Sequence, residues 1–226
     1  MSSKPHIIYL HGLGSGPGSQ KGVLVRDHFR ALGCSVSLPS ITVPNLERLS
    51  PLKAIQVVRD EIVARKGEPL VLMGSSFGAF IAIHSVDGMS PNDRVHIKRI
   101  VLLAPVFNPW DATSGLLTPE RERVWRERGV APVLDLESGR EVPVHYRFVQ
   151  ELKGLDSKDL KLPVPTLILH GNQDEVVPVA QSKDFAEKRP GIVLELVDDA
   201  HQLLKDPQKM LESIERFILS DSTDPH

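Results

Sequence analysis

Leu70-Val71-Leu72-Met73-Gly74-Ser75-Ser76-Phe77-Gly78-Ala79-Phe80-Ile81-Ala82-Ile83 changes character in its middle. The first four residues are a short apolar run of strand type, and the segment from Ala79 onward reads as a buried helix. Between them Gly74-Ser75-Ser76-Phe77-Gly78 fits G-x-S-x-G. A strand that turns directly into a helix must lift the central serine onto a strained corner, and glycines on both sides keep the flanking backbone from clashing there. A five-residue match recurs by chance, so its weight comes from the strand before it and the helix after it. Ser76 is therefore the predicted nucleophile, exposed at the top of a sheet; Ser75 is its neighbour, but the corner presents only one of the pair.

Outward from this turn, apolar runs of strand type recur at His6 to Leu10, Cys34 to Ile41, Ile97 to Ala104, Thr166 to Leu169 and Ile192 to Val197. Most of them end in a Gly-rich or polar loop and are followed by a segment of helical period. This is the pattern of βα units around a parallel sheet, and it predicts an α/β protein with about six parallel strands flanked by helices. Ser50-Pro51 and Asp206-Pro207 are N-cap and first-turn signals for two core helices. The alternation breaks once. About residues 108–163 the chain inserts more than a crossover: a helix capped by Thr118-Pro119 and closed at Gly129, a hairpin of Val130 to Asp135 with Glu141 to Tyr146 turned at Ser138-Gly139, and a short helix near Phe148 to Lys153. Ligands of parallel sheets bind at the carboxyl ends of the strands, so this insertion is read as a lid on a single domain spanning 1–226.

Three further segments supply candidate chemistry. After the first strand comes His11-Gly12-Leu13-Gly14-Ser15-Gly16. Attack on a carbonyl creates an oxyanion, and backbone N–H groups of Leu13 in this loop and of Phe77 after the nucleophile are the expected donors. The alternative, a phosphate loop, lacks both the G-x-G-x-x-G order and the P-loop lysine. A serine hydroxyl also needs a base and an acid that orients the base. His170-Gly171-Asn172-Gln173-Asp174 places Asp174 on a loop at a strand end, and Asp198-Asp199-Ala200-His201 places His201 on the next. Asp111, following the preceding strand, is a live substitute for Asp174, and Glu175, Asp198 and Asp199 are nearby acids. His11 and His170 are read as structural, the latter bracing the acid loop. His6, His28, His84, His96, His145 and His226 are read as surface or satisfied core.

The 226 residues carry a net charge of −2, with no Lys/Arg tract, which argues against nucleic acid as a partner. The mixed-sign run from Glu120 to Arg128 is a solvated helix face. Cys34 is the only cysteine, and no His or Cys spacing suits a metal, so neither a disulfide, a metal nor a cofactor is expected. Without a bilayer-length apolar run or a signal-like start, stable membrane insertion is not expected and the cytoplasm is the expected location.

His11-Gly12-Leu13-Gly14-Ser15, Gly74-Ser75-Ser76-Phe77-Gly78, His170-Gly171 with Asp174 and Val177-Pro178, Ala200-His201, and Trp125, Gly129, Gly139 and Tyr146-Arg147-Phe148 in the insertion together resemble the small bacterial YqiA/YcfP-type hydrolases of the α/β-hydrolase superfamily. They are similar also to the related acyl-protein thioesterases. The resemblance implies a serine esterase or thioesterase acting on a small-molecule ester or acyl thioester. Trp110, Leu116, Leu117, Trp125, Tyr146 and Phe148 of the lid would then be an apolar wall for the acyl chain, or equally the small core of the lid itself. One elbow serves many chemistries, so hydrolysis of a lactone or carbon–carbon bond, and non-catalytic ligand binding, stand as alternatives.

Overall fold

The computed structural model describes residues 4–110 and 117–220. In chain order the elements are β1 (His6–Leu10), α1 (Gln20–Ala31), β2 (Ser35–Ser37), α2 (Pro51–Ala64), β3 (Leu70–Ser75), α3 (Phe77–Val86), the single turn α4 (Pro91–Arg94) and β4 (Ile97–Leu103). The insertion contributes α5 (Pro119–Arg128), β5 (Val130–Asp135), β6 (Arg140–His145) and α6 (Arg147–Leu152). The chain then completes β7 (Thr166–Gly171), α7 (Val179–Glu187), β8 (Ile192–Val197) and α8 (Pro207–Leu219).

Six strands form one parallel sheet in the order β2-β1-β3-β4-β7-β8, as the recurring apolar runs predict. The period-2 geometry of each strand splits its side chains between two cores. Ile8, Leu10, Leu70, Leu72, Ile100, Leu102 and Ile168 face α2, α3 and the insertion. Their alternates Ile7, Tyr9, Val71, Met73, Val101, Leu103, Leu167 and Leu169 face α1 and α8. With both faces covered, β1, β3 and β7 are buried along their whole length and β4 from Ile100 onward, which is why these stretches read as largely continuous apolar runs rather than alternations.

The strand order fixes where a ligand can sit. From β1 the chain goes outward to β2 and then crosses back to β3 on the other side of β1. The loops leaving the carboxyl ends of β1 and β3 therefore diverge from a topological switch point, where a crevice opens. Gly12 and Ser76 belong to those two loops.

One strand is shorter than its sequence suggests. The expected run from Cys34 to Ile41 is paired only at Ser35–Ser37. Pro39 follows closely, and a residue without an N–H cannot continue a ladder, so the edge strand ends and the chain leaves the sheet.

The described part of the insertion contains the expected helix, hairpin and short helix, with ends shifted by a residue. Thr118 Oγ1 accepts from the N–H of Arg121, and Gly129 closes α5 at φ 73°, a left-handed cap that favours glycine. The antiparallel hairpin pairs Val130 with His145 through to Asp135 with Arg140. Asp135 secures its turn by accepting from the Glu137 N–H and the Ser138 hydroxyl. The hairpin is tied down at both ends: Leu136 N–H donates to the Gly14 carbonyl (2.6 Å) and His145 N–H to that of Glu47 (2.9 Å). Beneath it Trp125 is buried against Phe148, and its indole N–H donates to the Val144 carbonyl at 2.7 Å. Among the described residues no helix is long and apolar enough to cross a membrane.

Trp125 is thus the anchor between helix, hairpin and sheet core. Trp125→Ala is expected to cost about 3–5 kcal/mol of unfolding free energy, the usual price of deleting a buried large aromatic. Urea denaturation checks this; a loss under about 1 kcal/mol would mean that the insertion does not depend on that core.

Candidate active site

The elbow has the geometry its sequence requires. Ser76 lies between β3 and α3 with φ 55° and ψ −115°, a backbone region that side chains other than glycine rarely enter. Its N–H donates to the Leu103 carbonyl at 2.9 Å and its own carbonyl accepts from Ala79, so neighbouring backbone holds the corner from both sides. The glycines are needed for close approach. A Cβ on Gly74 would come within 2.4 Å of the Gly78 carbonyl oxygen, and one on Gly78 within 2.2 Å of that of Leu10. The same packing sets the loop after β1 beside the serine: a Cβ on Gly12 would stand 3.6 Å from that of Ser76. His11 orders this loop. Its Nδ1–H donates to the Gly12 carbonyl and its Nε2 accepts from the N–H of Ile41, so it is neutral, and burial pushes its pKa down.

Three side chains from three strand ends meet in line. His201 Nε2 lies 3.0 Å from Ser76 Oγ, and His201 Nδ1 lies 2.7 Å from Asp174 Oδ2. A carboxylate only accepts, so Nδ1 carries the proton and Nε2 is free to accept the serine's. Asp174 is fully enclosed. Its Oδ1 accepts from the N–H groups of Val176 and Val177, both at 2.8 Å, and its Oδ2 also accepts from His170 Nε2 at 3.0 Å. Burial alone would raise its pKa, but the donors from His170, His201 and Val177 outweigh it and hold the carboxyl well below the usual range. His170 is held in turn by the Ser182 hydroxyl, 2.6 Å from its Nδ1, in the bracing role its place in the sequence suggests. Asp111 and Leu116 lie outside the described residues.

Ser76 borders two spaces. On one side is an apolar pocket of about 100 Å³ bounded by Leu13, Phe77, Phe80, Leu117, Trp125 and Phe148, among others. On the other is a more open cleft of about 700 Å³, bordered by His201, Gly12, Ser19, Lys21 and Ser75. Leu13, Val133 and Leu134 contribute to both walls. Of the lid residues expected to contact an acyl chain, Leu117, Trp125 and Phe148 therefore line the pocket next to Ser76. Trp110 lines a different surface groove, where Lys153 stands 5.4 Å from its ring. The hydroxyl of Tyr146 donates to Glu122 at 2.6 Å, which ties α6 to α5.

Lys21 is the residue that the motifs do not reveal. It is only 6% exposed, and its Nζ donates to Ser75 Oγ at 3.0 Å. A signal for it exists in the sequence: Lys21, Val25 and Phe29 share the buried stripe of α1, and a lysine on an apolar stripe is out of place unless its charge is used. Among the described residues no three His, Cys, Asp or Glu side chains come together as a metal site.

The fold and the elbow define the class. Mouse alpha/beta hydrolase domain-containing protein 10 superimposes with a TM-score of 0.76 at 20% identity, covering 96% of this chain and 91% of that one. Est1E from Butyrivibrio proteoclasticus, with ferulic acid bound, gives 0.77 at 21% identity over 95% and 88%, and the monoacylglycerol lipase of Paleococcus ferrophilus 0.70 at 16% over 96% of each. The chain has the α/β-hydrolase fold. Within it, residues 6–219 match the uncharacterised protein family UPF0227, and the chain belongs to that family. A search of curated proteins finds no match.

The Asp174 hydrogen bonds have a consequence for acid stability. An unfolded aspartate titrates near pH 3.9, whereas native Asp174 keeps its charge to lower pH. Its contribution is complete above the unfolded value and is lost as pH falls below about 4 toward the folded value. Wild-type stability to urea should therefore fall more steeply between about pH 5 and pH 3 than that of Asp174→Asn. Parallel curves would show that this carboxylate is not held as described.

Proposed function

We propose that this protein is a serine hydrolase that cleaves carboxylic esters or thioesters through an acyl-enzyme on Ser76. The observation that supports it most is the unbroken line from Ser76 Oγ to His201 to the enclosed Asp174 carboxylate, starting at a strained elbow. The name of the monoacylglycerol lipase that shares the fold agrees with this chemistry.

In this reading Ser76 Oγ attacks the carbonyl carbon while its proton passes to His201 Nε2. The Asp174 carboxylate stabilises the imidazolium, and its low pKa keeps it charged throughout the neutral range. The oxyanion is received by the N–H groups of Phe77 and Leu13. Phe77 is the first residue of α3, where a helix offers its N–H no internal acceptor and where the dipole favours negative charge. His201 then protonates the leaving oxygen or sulfur as its bond to the carbonyl carbon breaks. Water, deprotonated by the same imidazole, attacks the acyl carbon, and Ser76 recovers its proton as the acid departs.

The two spaces beside Ser76 divide the substrate. His201 must reach the group that leaves, and only the larger cleft is bordered by His201. The acyl part therefore occupies the apolar pocket of Leu117, Trp125 and Phe148, and the alcohol or thiol part the cleft.

Ser76→Ala and His201→Ala should each lower ester hydrolysis by at least about a thousandfold with folding intact, and a fluorophosphonate probe should label wild type but not Ser76→Ala. In a panel of substrates, acyl p-nitrophenyl esters or acyl thioesters should be turned over faster than short polar lactones. A protein that folds but neither labels nor turns over would be a ligand-binding member of the fold. A preference for lactones would mean that the apolar pocket does not hold an acyl chain.

A further inference from the structure

The catalytic reading leaves one buried charge without a task. Lys21 sits at the start of α1, just after Ser19, whose hydroxyl caps the helix, and it lines the cleft that also contains His201 and Ser76. Among the described residues, no carboxylate lies within ion-pair distance of its Nζ, and Ser75 Oγ is its hydrogen-bond partner. The two carboxylates that act on it from a distance are engaged elsewhere. Asp174 is saturated by its two histidines and two backbone donors, and Asp199 accepts from the N–H groups of Ala200 and Lys205. An ammonium has three protons to donate. Burying it in this state costs free energy that an apolar residue at the same position on α1 would not incur.

We propose that Lys21 is a specificity-determining residue that binds an anionic group, a carboxylate or a phosphate, on the leaving part of the substrate. The inference rests on the serine hydrolase reading above, because that reading assigns the Lys21 cleft to the leaving alcohol or thiol. The position suits the task. Ser75, which Lys21 holds, is the residue before Ser76, so an anion on Lys21 stands close to the scissile bond. Tyr9 borders the same cleft, and burial pushes the pKa of its hydroxyl up, so it stays neutral there. The N-terminus of α1, a helix of 12 residues, adds its positive end to the same wall. Glu137 also borders the cleft, but it is exposed on the hairpin turn, where water screens it, whereas the lysine is shielded.

Burial lowers the Lys21 pKa to about 8, with Asp199 and Asp174 opposing the shift. The residue is thus mostly charged at neutral pH and loses its charge as pH rises through that value. Preference for an anionic substrate is therefore present below about pH 8 and declines above it, while an uncharged ester shows no such decline from this group.

The test compares kcat/KM for three acetate esters, of glycolate, of glycerol 3-phosphate and of neutral glycerol, in wild type, Lys21→Met and Lys21→Arg. Lys21→Met keeps the length and removes the charge, and circular dichroism checks its fold. The expected result is that Lys21→Met lowers kcat/KM for one of the anionic esters by about 10- to 100-fold more than for the neutral one, the size of a lost hydrogen bond to a charged group. Lys21→Arg should restore part of the difference, and the decline above pH 8 should disappear in Lys21→Met. Which anionic ester responds tells carboxylate from phosphate. An unchanged ratio of anionic to neutral turnover in Lys21→Met would overturn the proposal. If no ester is hydrolysed at all, the serine hydrolase reading fails separately. Calorimetric titration of glycolate and glycerol 3-phosphate into Ser76→Ala, with and without Lys21→Met, then reads the subsite alone: binding that needs the lysine supports it, and binding that is absent or indifferent to the lysine overturns it.

Discussion

The close approach of the β3 elbow to the end of β1 is the constraint on which the site depends. Gly78 packs against the carbonyls of Leu10 and His11 so tightly that no side chain could intervene. That contact fixes Ser76 in a strained conformation and brings the Gly12 loop to its side. It also sets the start of α3, and with it the Phe77 N–H, under the same crevice. The strain is held by ordinary means: the N–H of Ser76 bonds to β4, and the apolar faces of α3 are buried all round. Local cost at the corner is offset by packing at a distance.

The charged part of the site follows a different logic. Asp174 is buried, yet it stays ionised because four donors surround it, two of them backbone N–H groups of its own loop. His170, from the strand before that loop, and Ser182, from the helix after it, stiffen the arrangement. The loop is thereby a preorganised cradle for a carboxylate, and His201 needs only to arrive from the next strand end.

Much of this was legible in the sequence, for reasons that differ by element. The central strands are buried on both faces, so they stand out as apolar runs, and G-x-S-x-G between a strand and a helix admits few other readings. Asp174 and His201 stand out in the sequence by their places at successive strand ends, and the fold brings both side chains into line with Ser76. The apolar run of the edge strand β2 continues past Pro39, where pairing cannot, so sequence pattern overstates its length. The residues of the insertion can be named from the sequence but not sorted: Trp125 and Phe148 line the pocket and at the same time belong to the main core under the sheet, whereas Trp110 faces another groove. Such sorting depends on tertiary packing, which hydrophobic pattern does not encode. A lysine is ordinarily a surface residue, so Lys21 does not stand out in the motifs; only its register with Val25 and Phe29 betrays it.

The hairpin bond from Leu136 to Gly14 ties the insertion to the loop after β1, and Leu13, Val133 and Leu134 stand between the two spaces beside Ser76, lining both. Once the scissile bond breaks in the proposed reaction, the two halves of the substrate are left in separate chambers. The acyl half stays walled in on the serine, and the chamber beside the histidine empties and refills. In that proposed reaction, whatever enters the chamber next meets the same imidazole, so what accepts the acyl group depends on the contents of one chamber and not on the shape of the other.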